Sequence, residues 1–107
     1  RIEIAGQSIV ITGSFNNSKN LVATFAKDAD VLVVSHAIPE NSRGVLRDLY
    51  ARPSQLGRVA DQADARMMIL GHRSARTRGR ESLSRNAIEE NYDGTILFAN
   101  DGECWGL

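Results

Sequence analysis

Three strand-length runs carry no charge: VLVVS at 31–35, MMIL at 67–70 and TILFA at 95–99. A strand with one wet face alternates apolar and polar residues, whereas a strand covered on both faces is apolar throughout. Each run is separated from the next by a stretch of helical periodicity. That combination restricts the chain to an α/β sheet, largely parallel, with right-handed helical crossovers.

The remaining pattern fits between these runs. Ile2 and Ile4 alternate with polar neighbours and Ile9-Val10-Ile11 is β-branched, so the two segments read as a hairpin around Ala5-Gly6-Gln7. After the turn-rich GSFNNS, Ser18 is placed to cap a helix over 18–27, with Leu21, Val22, Phe25, Ala26 and Ala29 on one face. A helical turn fits 44–50. Pro53 suits the first position of a helix over 54–63, with Leu56, Val59, Ala60 and Ala63 inward. A third helix over 80–91 turns Leu83, Ala87 and Ile88 inward and ends at Gly94. Glu103-Cys104-Trp105 offers a short extra strand. The expected order is β-β-α-β-α-β-α-β in one domain, 1–107.

Thirteen Lys and Arg balance thirteen Asp and Glu, so bulk charge gives no strong signal for nucleic acid or membrane surfaces. No apolar run approaches the roughly 18 residues that cross a bilayer. The single cysteine, Cys104, excludes an internal disulfide and fits a reducing compartment, so a cytoplasmic location is expected. The motifs GxGxxG, Walker A, HExxH, CxxC and GxSxG are absent.

In a sheet of this kind ligands bind beyond the carboxyl ends of the strands. Three loops leave such ends, carrying Thr12-Gly13-Ser14, Ser35-His36 and Gly71-His72-Arg73. Both histidines of the chain lie just past an apolar strand. They read either as exposed loop residues or as site residues. Arg73, Arg76, Arg78 and Arg80 precede a helix start, where backbone N–H groups favour anions. They either hold a phosphate or carboxylate or pair with Glu81, Glu89 or Glu90.

The stretches SIVITGSFNNSKNLVATFAKDADVLVVSHAIPE, PSQLGRVADQADARMMILGHRS and AIEENYDGTILFANDG resemble, in consistent order, the second half of a metallo-β-lactamase-fold hydrolase. The likeness is to the ribonuclease Z and arylsulfatase-like branch. The resemblance implies the C-terminal half of an αββα sandwich whose full domain holds two zinc ions and takes small-molecule or phosphodiester substrates. It places His72 at the last metal ligand and Ser14 where the family has the carboxylate that bridges the metals. Tyr50 falls near a histidine of several relatives. His36 and Tyr50 are the catalytic candidates, and Arg73 and Arg76 the substrate or anion candidates. The H-x-H-x-D-H ligand motif is not in this chain, so no zinc or a partial complement is expected, and the chain is expected to be an inactive fragment as it stands. The alternative is a non-catalytic dimerising or anion-binding α/β module. One sheet face lacks helical cover in this scheme, so a homodimer is expected.

Overall fold

In the computed structural model, which describes residues 1–107, five strands form one sheet in the order β1-β2-β3-β4-β5. They are β1 (Ile2–Ile4), β2 (Gln7–Ile11), β3 (Val31–Ser35), β4 (Met67–Gly71) and β5 (Thr95–Phe98). The helices are α1 (Leu21–Phe25), α2 (Val45–Leu49), α3 (Pro53–Ala63) and α4 (Glu81–Glu89). β1 pairs antiparallel with β2 through a turn with positive φ at Ala5 and Gly6; the other three pairings are parallel. The expected α/β order holds, and the chain shares the fold class read from its apolar runs.

Strands that follow one another in both sequence and space, joined by crossovers of one hand, put all their helices on one side. The register agrees. Val10, Leu32, Met68 and Ile96 are partners across β2 to β5, and all four belong to the buried core. Leu56, Val59, Ala60 and Ala63 of α3 and Ile88 of α4 complete that core from above. Tyr92 closes its lower edge, donating its hydroxyl to the Ala65 carbonyl at 2.8 Å. Burial pushes the Tyr92 hydroxyl up to about 12.

The opposite face carries no helix. Ile2, Ile4 and Ile11 are 53, 66 and 61% exposed there. The Gln7 side chain donates to the Leu107 carbonyl at 3.2 Å, which brings the end of the chain back to β2.

Four local expectations are corrected. The first helix begins at Leu21, not at Ser18, and its N-cap is Asn20 in the left-handed region without a side-chain cap. Of its expected inner face Val22, Ala26 and Ala29 pack on the core, joined by Ala23, whereas Leu21 and Phe25 are 65 and 58% exposed. Leu83 on α4 also faces outward. Residues 103–105 form no strand.

Candidate functional site

The carboxyl ends of β2 to β5 meet at one edge of the sheet. Backbone bonds prolong the ladder past the strands: Thr12 donates to Val33, His36 to Gly71 and Ala99 to Leu70, at 3.1, 2.8 and 2.9 Å. The loops that follow are therefore anchored at their roots.

His72 is the first residue beyond β4. Its φ is +50°, a conformation that few non-glycine residues adopt, and its side chain is exposed. Ala5, Asn17, Asn20, Asp28 and Asp64 share this conformation, so it is the place of His72 at the end of β4 rather than its φ that sets it apart. His72 stands at the mouth of a polar cleft of about 620 Å3, lined by Gly71 to Arg73, Arg78 and residues 99–101.

The two arginines of this cleft have different situations. Arg73 is 20% exposed and committed to protein partners. It pairs with Glu81 at 3.0 Å, donates to the Ala99 carbonyl at 2.6 Å and also meets the Asn100 side chain. It fastens the loop to β5 and α4, which leaves Arg78, exposed and without an ion-pair partner, as the free cation of the cleft. The Glu81 carboxyl is held below the usual carboxylate range, first by its own backbone N–H at the start of α4 and then by Arg73. Arg76 is exposed and lies outside the cleft lining.

His36 is fully buried. Its Nε2 lies 2.7 Å from Ser84 Oγ, its Nδ1 has no partner, and its ring sits 5.4 Å from that of Phe98. Burial pushes its pKa down to about 4, against the pull of Glu81 and with the help of Arg73. The neutral imidazole is thus a hub rather than a group open to substrate. Thr77 Oγ1 donates to the His36 carbonyl at 2.8 Å and Ser74 Oγ to the Ala37 carbonyl at 2.9 Å, so the loop after β4 hangs from the loop after β3. Nothing in the sequence singled out Ser84 or Thr77, because their role depends on a helix packing over a strand end.

Ser14 is exposed after Gly13, whose φ is +64°, and Tyr50 is half-buried at the end of α2. Neither side chain has a hydrogen-bond partner. No group of three or more His, Cys, Asp or Glu side chains comes together anywhere in the chain. A catalytic zinc takes about three protein ligands, and His72 with a serine hydroxyl does not amount to such a set. The donors of this chain do not fit a two-zinc centre by themselves.

No family model matches the sequence. The chain is similar to ribonuclease Z of Halorubrum lacusprofundi, 30% identical over 99 residues that cover 92% of this chain and 32% of that protein. Ribonuclease Z of Myxococcus xanthus is 31% identical over 98 residues, covering 91% of this chain and 32% of that protein. Ribonuclease Z of Pediococcus pentosaceus is 32% identical over 96 residues, covering 89% and 29%. The chain therefore spans about a third of the length of the curated relatives it matches. Among solved structures, the metallo-β-lactamase fold protein YhfI from Bacillus subtilis superposes with a TM-score of 0.73 at 19% identity, over 91% of this chain and 39% of that one. The fold is that of the metallo-β-lactamase superfamily, and the sequence likeness lies with ribonuclease Z. No helix is long and apolar enough to cross a membrane.

Proposed function

We propose that this chain forms one wall of a metal-dependent hydrolase of the ribonuclease Z kind, acting on phosphodiesters in the cytoplasm, and that it is inactive alone. The observation that carries this reading is His72, exposed just past the end of β4 at the mouth of a cleft whose free cation is Arg78. In that role His72 contributes one metal ligand and Arg78 steadies an anionic substrate, while Arg73, His36 and Thr77 hold both in place. Zinc, when bound by a full ligand set, supplies Lewis acidity and an activated water. Ser14 cannot replace a bridging carboxylate, which offers charge and two oxygens.

The expected result is that the purified chain binds zinc below two ions per chain and does not turn over a phosphodiester. Elemental analysis and hydrolysis of bis(p-nitrophenyl) phosphate check this. Two zinc ions per chain, lost in His72→Ala, would overturn it.

The second reading, a non-catalytic module that pairs with itself, is favoured by the open sheet face. Ile2 and Ile4 on the edge strand β1 and Ile11 on β2 are exposed apolar residues of one face, and soluble monomers rarely leave large apolar patches uncovered. Under this reading, light scattering at micromolar concentration returns twice the 11.7 kDa chain mass. A well-folded species at 11.7 kDa that binds no apolar dye sinks it.

A further inference from the structure

A second cluster of unpaired positive charge lies apart from the arginine-rich loop after β4, where Arg76, Arg78 and Arg80 also lack ion-pair partners. It lies between the loop after β3 and the start of α3, where Arg43, Arg47 and Arg52 line a cleft of about 420 Å3 with Glu40, Asn41 and Ser42. No apolar residue lines it, and none of the three arginines has an ion-pair partner within 4.0 Å. The one carboxylate is already engaged: Glu40 accepts from the Ser54 backbone N–H at 2.8 Å and from Ser54 Oγ at 2.6 Å. Three guanidiniums against one carboxylate leave two positive charges over.

Arg43 and Arg47 are exposed, whereas Arg52 is half-buried and differs from an ordinary surface cation in one detail. Arg52 Nε is buried with no hydrogen-bond partner, and a buried N–H left unmade is costly. Arg52 is also the N-cap residue of α3, an eleven-residue helix. Small polar or acidic residues favour that position, because the helix dipole is positive there. That helix end is already served by the Glu40 carboxylate on the Ser54 backbone N–H and by Gln55, which accepts from the Arg52 backbone N–H at 2.9 Å, so it is the guanidiniums and not the helix terminus that lack a partner.

We infer that the Arg43–Arg47–Arg52 cleft binds a phosphate monoester dianion. Guanidinium forks pair with two oxygens each, so a carboxylate is satisfied by one or two of them, whereas the oxygens of a tetrahedral phosphate can engage three. The surplus charge matches a group that carries between about −1.5 and −2 near neutral pH. The volume lies within the range of about 300–1,000 Å3 usual for small-ligand clefts. The inference does not depend on the hydrolase reading, since neither His72 nor Arg78 contributes to this cleft.

Calorimetric titration of the whole chain with inorganic phosphate, and separately with adenosine 5′-monophosphate, tests it. Saturable binding of phosphate is expected, weakened about tenfold or more in the Arg43→Gln/Arg47→Gln variant and unchanged in Lys19→Gln, an exposed cation that lines neither cleft. If the double variant does not fold, Arg43→Gln alone carries the comparison. A nucleotide that binds more tightly than phosphate identifies an esterified source, and equal affinity identifies free phosphate. No saturable phosphate binding overturns the inference. So does loss of binding in Arg78→Gln with the double variant unaffected, which would place the anion in the His72 cleft instead.

Discussion

Replacing Gly57 with alanine lowers the stability of the chain by about 1–3 kcal/mol. In an open helix position the same change would help, because alanine exceeds glycine in helix propensity by about 1 kcal/mol. Here the sign reverses. A Cβ at Gly57 would lie 2.6 Å from the Ile88 carbonyl oxygen and 3.1 Å from the Ile88 Cα. Those are backbone atoms of α4, so no side-chain rotation relieves the clash; the helix itself must move. α3 and α4 pack directly on one another, and α4 carries both Ser84, the partner of His36, and Glu81, the partner of Arg73. The displacement therefore reaches the loop after β4. A fall in Tm of roughly 5–20 °C is expected for a domain of this size. Gly71→Ala is the control, since nothing lies within 4 Å of a Cβ there. An unchanged or raised Tm for Gly57→Ala would show that the helices sit further apart than this geometry requires.

The same close approach explains part of what the sequence conceals. The apolar runs marked β3, β4 and β5 within a residue or so, because a parallel sheet demands uncharged strands. Pro53 marked the start of α3 for a local reason, its fixed φ. The inner face of α1 was misread in part because hydrophobicity ranks leucine and phenylalanine above alanine. The structure keeps Val22, Ala26 and Ala29 against the core as expected, adds Ala23, and turns Leu21 and Phe25 outward. Small residues let a short helix lie close to its sheet, and that preference is a property of the assembled layers rather than of the helix. On α4, Ala87 and Ile88 are buried as expected, but Ser84 is buried in place of Leu83.

At the site, position was legible and status was not. The histidines and arginines could be assigned to strand ends from the order of elements alone. Which of them meets solvent depends on partners far away in sequence. Arg73 is drawn in by Glu81 and by the end of β5, and His36 is covered by α4. Arg43, Arg47 and Arg52 are spread over ten positions with no motif among them. Only the fold brings them to one cleft, through the turn of α2 and the entry into α3.

His36 makes the chain sensitive to mild acid. Its imidazole titrates at about 4 in the folded chain against 6.5 when solvated. Between those values the unfolded chain takes up a proton that the folded chain refuses, so stability is full above pH 6.5 and falls as the pH drops towards 4. At about 1.36 kcal/mol per pH unit, the loss by pH 4.5 is roughly 2.5 kcal/mol. The cause is structural. The ring is fully buried, Nδ1 has no acceptor, and Nε2 has only the Ser84 hydroxyl, so an imidazolium would leave one proton without a partner. Of the charged groups near it, Glu81 opposes the effect and Arg73 reinforces it. The carboxylates whose pKa values are lowered, Glu81 and Glu103, begin to lose their contribution as the pH falls through the ordinary carboxylate value of 4.5, so most of the window from 6.5 to 4.5 reports on the histidine. Urea unfolding at pH 7.0, 5.5 and 4.5 measures it. The native chain should lose most of that 2.5 kcal/mol, and His36→Gln, whatever its stability at pH 7, should give a nearly flat profile over the same range. Parallel profiles for the two proteins would mean that another group takes up the proton. With the expected result, the loops after β3 and β4 loosen together in acid, because Thr77 and Ser74 hang from the carbonyls of His36 and Ala37.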